Sequence, residues 1–343
     1  MVANKQEEVM KREGRGIFLS KRPAIVELIK KRSKLVSSMR GYLERKGLVE
    51  VETPILCTHR EGGPFVQFET EHPVTAKKYF LSMCPEDRLK RVCSFFEGGV
   101  FEFSRCFRAE IDSESHLSEF TMLEIKQPNK SIHDQIELAF GLIQHSVLEA
   151  FGTLATGSYD FRELRMVSCY EAVKDAVGLN IFDRDIAEKA LCLLDKAGVN
   201  IKDRASEWEV MDNLVKHFVE PQMQELSFLT EFPLSLATIS RINHEKGIAN
   251  RFQIMFNGIE IGDGGEKMLN PKEYRTLYEA NSHYRRESLG INENNEICEE
   301  FFADMEIASP MAGFGIGVDR FISLLLGAGI NDVVLFPKTY DCC

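Results

Sequence analysis

Three stretches of the chain carry side chains able to do chemistry. In the first, Phe107-Arg108-Ala109-Glu110 is followed after a five-residue polar loop by His116-Leu117-Ser118-Glu119-Phe120. An arginine grips phosphate bidentately, a carboxylate accepts from an exocyclic amine, and an aromatic ring stacks on a base. The set suits a nucleotide; the competing reading is a surface hairpin with an ion pair. The second stretch runs Gly258-Ile259-Glu260-Ile261-Gly262-Asp263-Gly264-Gly265-Glu266-Lys267. Its carboxylates suit oxygen ligation of Mg²⁺, and its glycines let a substrate lie against backbone. The plainer alternative is a glycine-rich turn joining two strands. In the third, Gly313, Gly315 and Gly317 alternate along a strand that leads into Val318-Asp319-Arg320. Alternating glycines bare one strand face, and Arg320 falls in a first helical turn, where unpaired amides favour an anion. The order G-x-G-x-x-G is absent and the strand is near the end of the sequence, so a nicotinamide dinucleotide fits poorly. No nucleophile–base pair stands out.

These residues need elements to hold them. Pro23 sits at a first-turn position, and Ile25, Leu28, Ile29, Leu35, Val36, Met39, Tyr42 and Leu43 recur at three- and four-residue steps up to Gly47, which predicts a helix. Residues 48–53 alternate as a half-buried strand that stops at Pro54. Further strands are expected at 65–68, 79–83, 100–103, 120–125, 235–239, 252–261 and 313–317, and helices at 130–151 and 319–326. The stretch 165–228 reads as an inserted helical subdomain with no cluster of chemistry. Strands at hairpin spacing bracketing helices predict an α+β fold around an antiparallel sheet.

Composition bounds the class. With 343 residues, 44% hydrophobic and 28% charged, the chain buries a real core and suits one catalytic-size domain. No run of eighteen apolar residues and no signal-peptide core is visible, so a cytoplasmic protein is expected. The net charge is −11, but residues 1–46 hold a balance of +8, leaving −19 on the rest. The basic segment reads first as the solvated face of a helix. Nine cysteines without a C-x-x-C pair read as mostly buried cytosolic thiols, not a metal or disulfide framework. The Cys342-Cys343 ending reads as chance, not a lipidation signal.

Taken in order, the three stretches resemble the signature motifs of class II aminoacyl-tRNA synthetases of the aspartyl, asparaginyl and lysyl subgroup. The segment Gly47 to Pro54 is similar to the first motif, Phe107 through Thr121 to the second, and Gly313 to Arg320 to the third. The resemblance covers roughly residues 23–340, with 1–22 as an extension, and implies ATP and Mg²⁺ as the small molecules of the site. It implies that Arg108 holds the α-phosphate and the amino-acid carboxylate, that Glu110 accepts from the adenine amine and that Phe120 stacks on adenine. By the same resemblance His116 and Arg320 hold the outer phosphates, Glu260 binds metal and ATP, and Glu61 clasps the substrate α-ammonium. The implied reaction is in-line attack of a carboxylate on the α-phosphate, giving an aminoacyl-adenylate and pyrophosphate. Such chemistry needs positioning and charge neutralisation more than a protein base.

Two departures from the family pattern stand out. Gln253 occupies a position where an acidic metal ligand is usual, seven residues before Glu260. Only about twenty-two residues precede the first catalytic helix, so an anticodon-reading barrel is not expected. The acceptor is left open among ammonia, a small molecule, a protein and tRNA. Lys267 stands where lysyl enzymes place Glu, and Gly264-Gly265-Glu266-Lys267 is similar to the Gly-Gly-Glu-Arg of an asparagine-synthetase paralogue. A pocket cation predicts an acidic substrate, aspartate first. Pro85-Glu86 with Lys90-Arg91 leans instead to the lysyl form, so Glu86, Lys267 and Gly264 are the candidate amino-acid contacts. A translation-factor-modifying lysyl paralogue and a non-catalytic regulatory homologue remain as alternatives, and the resemblance implies a homodimer.

Overall fold

Pro23, with φ fixed by its ring and no N–H to leave unpaired, opens a 23-residue helix, α1 (Pro23–Arg45). Leu35, Met39 and Leu43, four residues apart, form its buried stripe. The chain then reverses through Gly47 at φ 85°, the left-handed conformation that glycine adopts without strain. The computed structural model describes residues 15–337 except 64, 202–204 and 292–297. The Cys342-Cys343 ending and residues 1–14 of the expected extension lie outside them. Arg15–Ser20 is a short helix whose Phe18 is buried beneath the Arg22 guanidinium.

Eight strands build the main sheet: β1 (Val49–Glu50), β2 (Val100–Phe107), β3 (Glu119–Pro128), β4 (Met166–Ser168), β5 (Ser227–Thr230), β6 (Arg251–Phe256), β7 (Ile259–Glu266) and β8 (Met311–Gly317). Their spatial order is β1-β2-β3-β8-β7-β6-β5-β4. Every pairing from β2 across to β5 is antiparallel, while β1 and β4 add at the two edges in parallel. The fold is α+β.

Two-residue alternation gives this sheet two unlike faces. One presents Phe101, Leu123, Ile125, Phe252, Ile254, Phe314 and Ile316, all buried in the main core. It is covered by α1, by α3 (Ile132–Phe151) and by α9 (Val318–Leu326). The capping box at Ser131 and Asp134 starts α3, and Gly152 in the left-handed region ends it. The opposite face presents Glu102, Ser104, Glu124, Lys126, Gln253 and Asp263, with Gly313 and Gly315 between them. It is partly roofed by the short helix α2 (Glu86–Cys93). Buried polar groups need partners, so this second face is where a site belongs.

Residues 165–228 contribute three helices, α4 (Cys169–Val177), α5 (Ile186–Lys196) and α6 (Glu207–Leu214). They share a separate apolar core that includes Val173, Ala190, Leu194 and Met211. The bounding strands β4 and β5 pair with each other, so the segment is rooted in the main sheet. A π-helical turn, Val215–Val219, and a 3-10 turn, Glu220–Gln222, carry the chain back from α6.

Several expected boundaries change. The ladder expected over 48–53 is only Val49–Glu50, because Pro54 and the turn after it lead the chain off the sheet edge. Residues 65–68 form no strand; the ladder falls on Glu69–Glu71 against Lys78–Leu81. The expected strand at 235–239 is replaced by a 3-10 turn, Leu234–Leu236, and Thr238 takes a positive φ of 49°. The run 252–261 is a hairpin, β6 to β7, because Asn257 and Gly258 both sit at positive φ, as a two-residue turn of this hand requires. Sequence reading also missed α7 (Pro271–Leu289) and α8 (Glu299–Ile307). Asn270 caps α7 by accepting from the Lys272 and Glu273 amides, and Gly290 ends it.

Candidate active site

The nucleotide-like residues stand where β2, β3 and the start of α9 meet. Beyond Phe107 the loop folds on itself: the Arg108 amide donates to the Ser118 carbonyl (2.9 Å), and the Ser118 amide to Asp112 Oδ1 (2.6 Å). The Arg108 guanidinium carbon lies 3.9 Å from the Phe65 ring centre and 5.1 Å from that of Phe120. Its Nε is buried without a hydrogen-bond partner. A cation held between two rings, with a desolvated donor unused, is prepared for an anion. Glu110 is exposed on the loop. Hydroxyls of Ser115 and Ser113 lie 2.9 and 3.2 Å from His116 Nδ1. Partial burial and the Arg320 guanidinium hold this imidazole below its ordinary pKa.

Arg320 is anchored at both sides. Its Nη1 donates to the Glu260 carbonyl (2.7 Å) and its Nε to the Ser115 carbonyl (3.2 Å). The preceding residue, Asp319, accepts from the Thr121 amide (2.6 Å) and from Arg32 Nη2 of α1 (2.5 Å). One buried carboxylate thus couples the strand residue after Phe120 to the helix residue before Arg320.

At the carboxylate end, a bulge near Ile254 and Met255 puts Glu260 beside Gln253, whose Nε2 donates to Glu260 Oε2 (2.6 Å). Burial and the Asp263 carboxylate push Glu260 up in pKa. Gln253 Oε1 is buried with no hydrogen-bond partner. An oxygen donor set with a raised carboxylate and an orphaned amide oxygen fits a hard divalent cation. The 3-10 turn places Glu220 at the same end, where burial and the Glu260 carboxylate push its carboxyl up to about 7.

The amino-acid candidates divide. Glu61 is buried and fully engaged: Met83 and Cys84 donate backbone amides at 2.8 and 3.1 Å, Ser82 its hydroxyl at 3.0 Å and Arg88 Nη1 at 2.7 Å. Glu86, at the start of α2, is surrounded by three buried ammonium groups: Lys267 at 2.9 Å, Lys126 at 3.3 Å and Lys90 at 3.4 Å. Burial alone would raise the Glu86 carboxyl, but Lys126, Lys267 and Lys90 hold it well below the usual range. Lys126 also pairs with Glu124, and Lys90 lies 3.6 Å from Asp87. Burial pushes the Lys267 ammonium down and Glu86 opposes this. Cys84, Glu86 and Glu124 could reach one common ion, yet both carboxylates already meet lysines.

Gly264 is placed apart from these candidates. A Cβ there would lie 2.5 Å from Phe314 Cβ and 2.6 Å from Phe252 Cζ, so this glycine faces the apolar core and serves packing. Nor is the strand face bared by alternating glycines vacant. A Cβ on Gly315 would lie 2.5 Å from Glu124 Oε2, because the Glu124 carboxylate lies across that face.

A protein-family model described as tRNA synthetases class II (D, K and N) matches residues 7–340. The chain belongs to this family. Among curated proteins it is 30% identical over 316 residues to a lysine–tRNA ligase of Shouchella clausii, covering 90% of this chain and 62% of that protein. It is 31% identical over 325 residues to a lysine–tRNA ligase of Helicobacter pylori (92% and 64%) and 30% identical over 319 residues to that of Enterococcus faecalis (90% and 63%). The chain therefore spans less than two thirds of the length of these relatives.

Within this family framework, sequence reading missed several residues of the site. Lys126 and Glu124 carried a signal: they alternate with Leu123 and Ile125 along β3, so they share one face. Lys90 was noticed only as part of a motif. Asp319 stands inside the third motif without a role of its own there, and Arg32 and Glu220 give no local signal, since their roles come from chain segments that meet only in the fold.

Proposed function

We propose that the protein is an ATP-dependent amino-acid-activating ligase that forms an aminoacyl-adenylate. The observation that carries this reading is Arg108, held between Phe65 and Phe120 with its Nε buried and unused. In this reading adenine stacks at Phe120 and meets Glu110, while His116 and Arg320 take the outer phosphates. Arg108 bridges the α-phosphate and the substrate carboxylate. A carboxylate oxygen attacks the α-phosphorus, the bond from that phosphorus to the bridging oxygen breaks, and pyrophosphate leaves. Arg108 neutralises charge that grows on the α-phosphate oxygens, the type of stabilisation worth several kcal/mol in a dry site. Gln253 and Glu260 would hold Mg²⁺, which when bound neutralises phosphate charge.

The side-chain end of the pocket favours an acidic amino acid, aspartate first. Three buried ammonium groups converge on Glu86, and among the described residues Lys267 has Glu86 as its one ion-pair partner. Lys126 and Lys90 have the further partners Glu124 and Asp87, so Lys267 is the ammonium a substrate carboxylate would meet. A substrate ammonium set against it would be a desolvated like-charge contact costing several kcal/mol, on the order of other such mispairings. Lysine activation is the second reading, favoured by the lysine–tRNA ligases among the relatives. Pyrophosphate exchange with single amino acids separates the two. Lys267→Glu is expected to weaken aspartate-dependent exchange by far more than tenfold; an unchanged rate removes the acidic reading. Mass analysis of products formed with ammonia, small amines, proteins or tRNA identifies the acceptor. A homodimer built on the segment around α1 is part of the proposal, checked by sedimentation.

A further inference from the structure

The sequence reading left residues 165–228 without chemistry, yet this segment turns back toward the site at its end. The chain from α6 passes through the π-helical turn and the 3-10 turn Glu220–Gln222; single π turns recur at functional sites. That 3-10 turn is held against the start of β7. The Gly258 amide donates to the Met223 carbonyl (2.9 Å), and the Asn257 amide to the Gln224 carbonyl (3.0 Å). Gly258 is packed so closely that a Cβ there would lie 3.4 Å from Pro221 Cα and 3.5 Å from the Glu220 carbonyl oxygen. The turn therefore brings Glu220 to the end of the sheet that carries Glu260 and Gln253.

Two oxygens at this end are out of place in a finished interior. Glu220 is 9% exposed and Gln253 2% exposed, and Glu220 Oε1 and Gln253 Oε1 are both buried with no hydrogen-bond partner. Such an atom is costly to bury if left unmet. Lys216, the cation nearest in sequence, is taken by Asp212 at 2.7 Å, and Arg320 spends its Nη1 on the Glu260 carbonyl. Oxygen-only donors with net negative charge and no nitrogen or sulfur select a hard divalent cation.

We propose that Glu220 is a ligand of a divalent cation it shares with Glu260 and Gln253, supplying from the helical segment the carboxylate that Gln253 lacks. The cation class is Mg²⁺ or Mn²⁺. The inference deepens the adenylating function proposed above and rests on it for the use of the cation.

The test uses Mn²⁺ alone, added to the nucleotide-free full chain and followed by electron paramagnetic resonance of the unbound ion. Glu220→Gln is expected to weaken Mn²⁺ binding at least tenfold, and Gln253→Glu in that background to recover most of the loss. Melting in EDTA checks folding: Glu220→Gln keeps the neutral shape of a buried carboxyl and should melt no lower than wild type. Should it melt lower, Glu220→Asp, which keeps the charge but shortens the reach, is expected to bind Mn²⁺ at intermediate strength. Wild-type and Glu220→Gln proteins with equal Mn²⁺ affinity, or wild type that binds none at millimolar metal, overturn the proposal. Because no nucleotide or amino acid is present, this result stands apart from pyrophosphate exchange, whose failure would count against adenylation alone.

Discussion

Single residues carry the chemistry, and their surroundings predict how each responds to change. Arg108 acts through a planar fork between two rings, a role Lys cannot fill. Arg108→Lys is therefore expected to lower pyrophosphate exchange by about 10²–10³-fold, with an unchanged circular dichroism spectrum; retention of a tenth of the activity contradicts its placement at the phosphate. His116 makes a pH-dependent prediction. Its folded pKa is depressed by partial burial and by Arg320, so as pH falls the unfolded chain takes up this proton first. Its contribution to stability is fully present above about 6.5, the ordinary histidine value, and is lost as pH drops below it. His116→Gln should flatten that part of the stability profile in urea titrations between pH 5 and 7.5. In the proposed complex a phosphate beside His116 favours the charged imidazole, so ATP is expected to bind more tightly as pH falls and the ring gains its proton. Burial pushes the thiols of Cys57, Cys93, Cys106 and Cys169 up to about 12, which disfavours the reactive thiolate.

At the scale of elements, legibility followed periodicity. The stripe Leu35, Met39, Leu43 gave α1 almost to the residue, and the long alternation of β2 and β3 was found in part. Elements whose burial comes from distant partners were missed. The helix α7 has termini marked by Asn270-Pro271 and Gly290, yet Tyr274 and Tyr278 are buried only because Glu61's loop and α8 lie against them. The β6–β7 hairpin was legible in principle, since Asn257-Gly258 is a strong two-residue turn signal. Gly258 now makes an element-scale prediction. Substitution by Ala at φ 71° with Gln224 Nε2 3.0 Å away strains the turn and should cost about 1 kcal/mol or more, read as a lower urea midpoint. The same variant should displace Glu220 and weaken Mn²⁺ binding. Of the site, residues within each motif were legible as nucleotide-binding candidates. The coupling of Phe120 to Arg320 through Asp319, and the ammonium cluster around Glu86, were not, because both join residues from separate parts of the chain.

For the molecule as a whole, the sheet explains why charge and core coexist. One face buries aromatic and branched side chains under three helices, while the other gathers carboxylates, lysines and glycines, with the Glu124 carboxylate lying across Gly315. The overall charge of −11 says little by itself; around Glu86 the three buried lysines meet Glu86, Glu124 and Asp87. No helix among the described residues is long and apolar enough to cross a membrane. Family membership agrees with this architecture over residues 7–340. The central claim, adenylation of an amino acid by the polar face, is tested most directly by ATP–pyrophosphate exchange with each of the twenty amino acids, without tRNA and with Mg²⁺ present. The account predicts exchange with an acidic amino acid, aspartate strongest, lowered about 10²–10³-fold in Arg108→Lys. Exchange with none of the twenty, by protein that is folded and binds ATP, would contradict it.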